Sequence, residues 1–196
     1  MRPELWLLGA LWTVWCAGHS LLAAISARRA IKARLGGLER WYRLGYNLFA
    51  ALTMAPVVAL EKWWAAAPPA GWGLWEPLRM ALFWGAAAAF IWVMRAYEWG
   101  TFSGLSGDDP DGAADTARLK TDGPLAYSRH PLYALGFVLL WTRPLADTSI
   151  VTSVLLTAYL VIGAWLEERK LVIRFGAVYE AYRRRTPMFF PWPKRG

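Results

Sequence analysis

The sequence has little of the residues that build covalent cross-links and metal centres. One cysteine, Cys16, and two histidines, His19 and His130, occur in 196 residues. A single thiol excludes an intramolecular disulfide, and two distant histidines with one cysteine lack the short ligand spacing of a zinc site. No Gly-x-Ser-x-Gly sequence is present, which argues against a serine-hydrolase elbow. The sequence therefore predicts neither a disulfide nor a bound metal.

Negatively charged residues are also scarce. The 14 Asp and Glu stand against 22 Lys and Arg, which gives a net charge of +8. Eighteen of the 22 cations lie in the loops after the first and third apolar runs and in the C-terminal tail. Because positive charge collects on the cytoplasmic side of membrane proteins, this distribution predicts an outside N-terminus and a cytoplasmic C-terminus. Topology and anionic lipid headgroups account for the charge, and no nucleic-acid partner is predicted.

Apolar residues, by contrast, are abundant. They form 57% of the chain, which has 14 Trp and a mean hydropathy of +0.25. Three runs are each near the roughly 20 residues that a helix needs to cross a bilayer. They are 5–25, 42–60 and 74–94. A fourth run, 131–166, is broken at Arg143 and Pro144, which predicts a helical hairpin with arms 131–142 and 150–166.

The sequence thus predicts an all-α integral membrane protein with five transmembrane helices, three spans and the two arms of a C-terminal hairpin. From Leu171 onward, apolar and charged residues recur at helical spacing, which predicts a cytoplasmic amphipathic helix. We expect one domain over 1–196, with a three-span scaffold in 1–100 and a hairpin with its C-terminal cover in 118–196. The prolines and aromatics around Phe189 are expected to lie extended over the hairpin mouth.

The hairpin is expected to bring charged residues to one membrane face. Arg129 and His130 precede its first arm, while Glu167 and Glu168 follow its second arm. At helical rise the first arm is only about 18 Å long, which is short for a crossing. The two ends of the hairpin are therefore predicted to meet at the cytoplasmic surface.

The first apolar run contains an ionisable side chain, His19, near its cytoplasmic end. Such a group is costly inside a membrane unless it meets a partner, water or a ligand, so His19 is a candidate functional residue. The alternative is a histidine that bonds to a neighbouring helix or reaches the interface.

The loop after the third run holds two patterns of low specificity. Gly100, Gly104 and Gly107 are close together, but no strand precedes them and no Gly-Lys-Ser/Thr follows, so a phosphate loop is not predicted. The acidic stretch 107–116 places glycine where a calcium loop needs its first carboxylate. We expect a solvated cytoplasmic loop.

The segment 120–133 concentrates polar chemistry at the hairpin mouth. A turn at Gly123 and Pro124 leads to Ser128, which is predicted to cap the next helix, with Pro131 in its first turn.

The charged groups at this mouth suit a ligand that has separate ammonium and carboxylate ends. Arginine grips a carboxylate through its fork, while glutamate suits an ammonium or ribose hydroxyls. The alternative is that Arg129 forms a salt bridge with Glu167 or Glu168 that only ties the ends of the hairpin together.

These residues also resemble a known pattern. Arg129-His130-Pro131-Leu132-Tyr133, then Glu167-Glu168, Phe175-Gly176 and Tyr179-x-x-Tyr182, resemble the cofactor-binding half of the integral membrane methyltransferases. That superfamily includes the isoprenylcysteine carboxyl methyltransferases and the phospholipid N-methyltransferases. In the N-terminal half, Gly18-His19-Ser20-Leu21 and Tyr46-Asn47 are similar to the methanethiol S-methyltransferase and NnrU-like branch.

The resemblance implies S-adenosylmethionine as methyl donor, bound at the cytoplasmic end of the hairpin beneath the C-terminal segment. The positions expected to bind it are Lys120, Gly123, Pro124, Leu125, Tyr127, Arg129, His130, Pro131, Tyr133, Glu167 and Glu168. Arg129 is expected to favour the thiolate form of an acceptor by lowering its pKa. His130 or His19 is expected to take the proton, and His19 to face the acceptor tunnel.

The resemblance favours a small or lipophilic thiol as methyl acceptor, in an integral protein of a bacterial inner membrane. A phospholipid amine or an isoprenylcysteine carboxylate stays open as the acceptor. A non-enzymatic, NnrU-like membrane accessory protein is the alternative from a different class. The expected partners are membrane lipids and the acceptor.

Overall fold

The computed structural model describes residues 2–66, 71–95, 105 and 119–191. Over these residues the chain forms helices and no β-strand. The α-helices, in chain order, are α1 Pro3–Ala23, α2 Ile25–Leu35, α3 Tyr42–Trp63, α4 Glu76–Met94, α5 Pro131–Thr142, α6 Asp147–Phe175 and α7 Ala177–Arg185. The 3-10 turns are Gly36–Trp41, Gly73–Trp75 and Gly123–Ala126. The predicted all-helical fold is confirmed for the described residues.

Among the described residues, four helical segments are long and apolar enough to cross a membrane: α1, α3, α6, and α4 with its preceding turn. The three predicted spans and the second hairpin arm therefore have membrane length. Helix α5 is apolar but has only 12 residues. A fifth crossing by this shorter arm remains a prediction.

Two helix boundaries differ from those predicted. Residues 26–35, expected in a loop, lie in α2, because the run of Ala, Arg, Lys and Leu has high helix propensity. Helix α6 continues beyond 166 through four charged residues, which are also good helix formers, and ends before Gly176 at φ +51. The predicted amphipathic segment is therefore divided between the end of α6 and α7, and its place at a membrane surface stays a prediction.

The chain divides into two compact units. The first comprises Met1–Ala70, Glu98–Asp115 and Pro144–Leu156, and the second Gly71–Tyr97, Thr116–Arg143 and Thr157–Gly196. Helix α6 begins in the first unit and continues in the second.

In the first unit, α1 packs against α3 around a core of Leu8, Trp12 and Val57. The Trp12 indole is almost fully buried and donates a 2.8 Å hydrogen bond to Oγ1 of Thr152. A buried indole N–H needs such a partner. Leu155 packs against the same core, so the start of α6 is fixed to α1 by both packing and a hydrogen bond.

In the second unit, α5 packs between α4 and the later part of α6. The buried Arg79 of α4 donates a 2.6 Å hydrogen bond to the carbonyl of Thr142 at the end of α5. A Cβ atom added at Gly136 of α5 would lie 3.6 Å from Leu160 of α6. Trp141 also donates a 3.0 Å hydrogen bond to Thr157. The predicted hairpin is confirmed.

Candidate functional site

The turn before α5 positions the first predicted site residues. Gly123 has φ +59 and opens the turn Gly123–Ala126, a conformation that a residue with a Cβ adopts only with strain. Pro124 is buried in this turn. The carbonyl of Leu125 accepts a 2.6 Å hydrogen bond from the hydroxyl of Tyr182 in α7. The turn is therefore held against α7.

The residues that flank this turn have different environments. Lys120 and Tyr127 are exposed, and Tyr127 has 69% of its surface accessible. The prediction that Ser128 caps the helix is wrong, because His130 precedes the first helical residue, Pro131. The hydroxyl oxygen of Ser128 instead accepts a 3.2 Å bond from the backbone N–H of His130.

The backbone at the hairpin mouth pairs with the C-terminal segment. The N–H of Arg129 donates to the carbonyl of Pro187 at 2.9 Å, and that of His130 donates to the carbonyl of Met188 at 3.0 Å. These bonds keep the chain out of the helix until Pro131. They also place the described end of the chain against the mouth of the hairpin, as predicted.

Arg129 binds Glu168 and two backbone carbonyls. Its Nε is 2.6 Å from Oε1 and its Nη2 is 3.1 Å from Oε2 of Glu168, while Nη1 donates to the carbonyls of Arg183 and Thr186 at 3.1 and 2.7 Å. Both side chains of the ion pair are about nine-tenths buried. Four of the five N–H groups of the guanidinium are thus engaged within the protein. The two ends of the hairpin therefore meet, as predicted, and the membrane face on which they meet stays a prediction.

His130 lies between the two carboxylates. Its Nε2 is 3.2 Å from Oε1 of Glu168, and its Nδ1 is 3.8 Å from Oε2 of Glu167. The ring is buried and stacks on Tyr133, with centroids 5.4 Å apart and planes within 12°. Phe189 of the C-terminal segment lies 6.0 Å from the ring. His130 is therefore fixed by aromatic contacts and faces acidic groups.

The adjacent carboxylates differ in accessibility. The Glu168 side chain is 7% exposed and also lies 3.4 Å from Nε of Arg183, whereas the Glu167 side chain is 50% exposed. The Tyr133 hydroxyl donates a 3.3 Å bond to Glu167. Glu168 is thus the internal anchor of the cluster, and Glu167 is the carboxylate that a ligand can reach.

Sequence reasoning assigned no role to several residues of this cluster. Arg183 and the backbone carbonyl of Thr186 complete the surroundings of the Arg129 and Glu168 pair. A backbone acceptor leaves no signal in a sequence. The spacing of Tyr179 and Tyr182 was the one available signal, since it brings both rings to the buried face of α7.

Tyr179 contributes a buried phenol next to the cluster. Burial raises the pKa of this tyrosine, and the negative charge of Glu168 acts in the same direction. Its hydroxyl has no hydrogen-bond partner among the residues that the structure describes. Tyr179 therefore remains neutral over the ordinary pH range and acts through packing.

His19 belongs to the first unit. Its Nε2 is 2.7 Å from the hydroxyl oxygen of Tyr46 on α3, and its ring stacks on Trp15 with centroids 4.9 Å apart. A bond to a neighbouring helix was the alternative to a functional role for this residue. Its predicted role in catalysis stays a prediction.

Some predicted features lie outside the described residues. They are the glycines Gly100, Gly104 and Gly107, the acidic stretch 107–116, and the last residues of the cover, 192–196. Within residues 2–66, 71–95, 105 and 119–191, no group of three or more His, Cys, Asp or Glu is placed to hold a metal ion.

Fold and site together define a helical membrane protein with a charged cluster at the end of a hairpin. No protein-family model matches the chain, and no solved structure matches it. Comparison with curated proteins is more specific, because the similar proteins share one name, methanethiol S-methyltransferase.

Two of these similarities extend over most of the chain. Methanethiol S-methyltransferase 1 of Bradyrhizobium diazoefficiens is 29% identical over 191 residues, covering 88% of this chain and 65% of the relative. The Mycobacterium tuberculosis protein is 23% identical over 192 residues, which cover 89% of this chain and 77% of that relative. The Crocosphaera subtropica protein is 37% identical over 76 residues, which cover 38% of this chain and 30% of that relative. The chain thus spans less than two thirds of the Bradyrhizobium and Crocosphaera proteins. The predicted resemblance to this branch of membrane methyltransferases is confirmed.

Proposed function

We propose that this chain transfers a methyl group from S-adenosylmethionine to a small or lipophilic thiol within a membrane. The observation that carries the proposal is the similarity over 88% of the chain to a protein named methanethiol S-methyltransferase 1. The four helices of membrane length agree with an acceptor that partitions into the bilayer.

The hairpin mouth offers side chains that fit the donor. The half-exposed carboxylate of Glu167, beside the Tyr133 hydroxyl, suits an ammonium group or ribose hydroxyls. The exposed ring of Tyr127 suits stacking on adenine or contact with a sulfonium cation. Lys120, also exposed, suits the donor's carboxylate as a point charge. These contacts are proposals for the bound state.

Arg129 is better suited to positioning than to gripping the donor. Four of its five N–H groups already bind Glu168, Arg183 and Thr186, and the charge of Glu168 compensates its own. We therefore assign Arg129 to holding the hairpin and the C-terminal segment together. This assignment replaces a direct role in stabilising a thiolate.

S-adenosylmethionine, when bound, supplies an electrophilic methyl group on a sulfonium. The chain contributes orientation and the exclusion of water. Nδ1 of His130 lies 3.8 Å from Glu167, so a proton that this nitrogen takes from a thiol would lie beside a carboxylate. The C-terminal segment, bound through the carbonyls of Pro187 and Met188, is assigned to covering the mouth.

We also propose the orientation that the charge distribution predicts. The hairpin mouth lies at the cytoplasmic face of a bacterial inner membrane, where a soluble donor is available, and the N-terminus lies outside. The asymmetry of Lys and Arg supports this orientation.

Calorimetry with S-adenosylmethionine on the detergent-purified protein tests the donor, and saturable binding is expected. A labelled-methyl assay over methanethiol, lipid amines and prenylated cysteines then identifies the acceptor, with methanethiol expected to be labelled. Transfer to a lipid amine or a prenylated cysteine alone would replace the thiol as acceptor. The absence of donor binding at millimolar concentration would overturn the proposal in favour of an accessory protein.

A further inference from the structure

An apolar groove of about 460 Å³ lies where α1, α2 and α3 meet in the first unit. Each of the three helices and the turn before α3 contributes to its wall, through residues that include Leu22, Leu35, Leu38 and Phe49. The side chains of Leu38 and Phe49 are 63% and 53% exposed. The groove is therefore open along its side, and it admits a hydrocarbon chain rather than enclosing a small molecule.

The groove lies at one end of two helices that are long enough to cross a membrane. Helix α1 ends at Ala23 and α3 begins at Tyr42, and the Tyr42 hydroxyl donates a 2.7 Å hydrogen bond to the carbonyl of Leu22. A chain that leaves the bilayer at the end of α1 and re-enters at the start of α3 keeps α2 at the same membrane face. Trp41 and Tyr42 at this point are of the type that lies in the headgroup layer. The groove therefore runs from the headgroups toward the acyl chains.

The segment that joins these two helices is strongly basic. Residues 24–43 contain six Lys and Arg and one acidic residue, Glu39. Four of the cations lie in α2. Arg28, Lys32 and Leu35 follow one another at i, i+4 and i+7, so they share one face of this helix. Because Leu35 lines the groove, two cations lie on the same helix face as part of its apolar wall.

We infer that this groove binds one anionic phospholipid, with an acyl chain along the start of α3 and the phosphate group beside the cations of α2. The acyl chain alone gives little selectivity, because the hydrocarbon of the bilayer is as apolar as the groove. The headgroup supplies the selectivity, since each Lys or Arg near the surface strengthens the attraction of an anionic lipid roughly fivefold. The inference does not depend on the proposed methyl transfer.

Charge separates this occupant from the alternatives. A second copy of this chain would bring the same basic segment, 24–43, to the groove and would be repelled. An uncharged lipid or an uncharged thiol gains nothing from the cations. An anionic lipid matches both the apolar wall and the basic segment beside it. The experiments therefore compare anionic with uncharged or zwitterionic lipids and also record the oligomeric state.

The first measurement is photo-crosslinking in nanodiscs of phosphatidylcholine that carry a small fraction of phosphatidylglycerol with a photoactivatable acyl chain. We expect label on peptides that cover residues 35–49. Photoactivatable phosphatidylcholine should give at least about fivefold less label there. Equal labelling by the two lipids, or label spread evenly over the helices of membrane length, would overturn the inference. Methyl transfer does not enter this measurement, so it decides the groove even if the proposed function fails.

Gly45→Leu tests the groove, because the added side chain occupies it without a clash at the new Cβ. Gly45 lines the groove, and a Cβ there meets nothing within 4 Å. A Cβ at Gly85 of α4 also meets nothing within 4 Å, and Gly85 does not line the groove, so Gly85→Leu is the matched control. We expect Gly45→Leu to reduce the phosphatidylglycerol label on residues 35–49 about tenfold, and Gly85→Leu to leave it unchanged. Equal labelling of the two variants would contradict the assignment.

The second measurement is retention of phosphatidylglycerol by the detergent-purified protein, counted by native mass spectrometry. We expect one retained lipid in the wild type and about fivefold weaker binding in Arg28→Gln and in Lys32→Gln. Arg184→Gln is the control, because Arg184 is an exposed cation of α7 outside the groove. The thermal unfolding midpoint shows whether each variant is folded.

Two results of this second measurement would overturn the inference. Equal weakening in Arg184→Gln and Arg28→Gln would assign the lipid to the general positive charge of the surface. A dimer without bound lipid would assign the groove to a second copy of the chain.

Discussion

Arg129 and Glu168 form a side-on ion pair, with Nε 2.6 Å from Oε1 and Nη2 3.1 Å from Oε2, across 39 positions of sequence. Each side chain is about nine-tenths buried. Removal of either partner leaves a buried charge uncompensated, and such a loss is larger than the net contribution of the intact pair. The pair therefore joins the residue before α5 to the later part of α6 at the hairpin mouth.

Glu168→Ala is expected to lower the free energy of unfolding by about 3–5 kcal/mol. Arg129→Lys, made in the wild-type background, should also lower the free energy of unfolding, because a lysine ammonium lacks the planar fork of the guanidinium. Chemical unfolding in detergent micelles measures both. Glu180→Ala is the control, because Glu180 pairs with Arg183 at an exposed site. If Glu168→Ala is no more destabilising than Glu180→Ala, the pair is not an anchor.

Glu167→Gln should separate donor binding from folding. The exposed carboxylate of Glu167 is the proposed partner of the donor's ammonium or ribose hydroxyls, and loss of a charge-assisted hydrogen bond weakens binding by about tenfold or more. The thermal unfolding midpoint should stay near that of the wild type. Calorimetry with S-adenosylmethionine measures the affinity, and Glu180→Gln is the matched control. Unchanged affinity in Glu167→Gln would remove this residue from the site.

The two buried tyrosines of α7 should respond in opposite ways to loss of the hydroxyl. Tyr182 donates to the carbonyl of Leu125 at 2.6 Å, so Tyr182→Phe is expected to cost about 1 kcal/mol. The Tyr179 hydroxyl has no hydrogen-bond partner within the described residues, so Tyr179→Phe should be neutral or stabilising. Parallel unfolding curves measure the difference. A larger loss from Tyr179→Phe would contradict this reading of α7.

Alkaline conditions should destabilise the protein partly through Tyr179. Burial raises the pKa of this group above its ordinary value of 10.0, so the folded state keeps a proton that the unfolded state releases. Folded molecules then bind more protons, and the free energy of unfolding falls as the pH rises above about 10. The free energy of unfolding of Tyr179→Phe should fall less steeply over this range. If the free energy of unfolding falls with the same slope in the wild type and in Tyr179→Phe, Tyr179 does not contribute to the pH dependence.

The sequence allowed the main helices and the hairpin to be predicted, because apolar runs of membrane length and a break at Arg143 and Pro144 leave few alternatives. It did not identify Glu168 as the anchor rather than Glu167. Adjacent helical residues point about 100° apart, and only tertiary packing decides which one turns inward. The sequence also contained no sign that most N–H groups of Arg129 are engaged within the protein, because two of their acceptors are the backbone carbonyls of Arg183 and Thr186.

The most direct measurement is transfer of a labelled methyl group from S-adenosylmethionine to methanethiol by the purified protein in lipid vesicles. We predict labelled dimethyl sulfide from the wild type and at least about tenfold less from Glu167→Gln at low donor concentration. Folded protein that binds donor and thiol yet forms no labelled sulfide would contradict the proposed function.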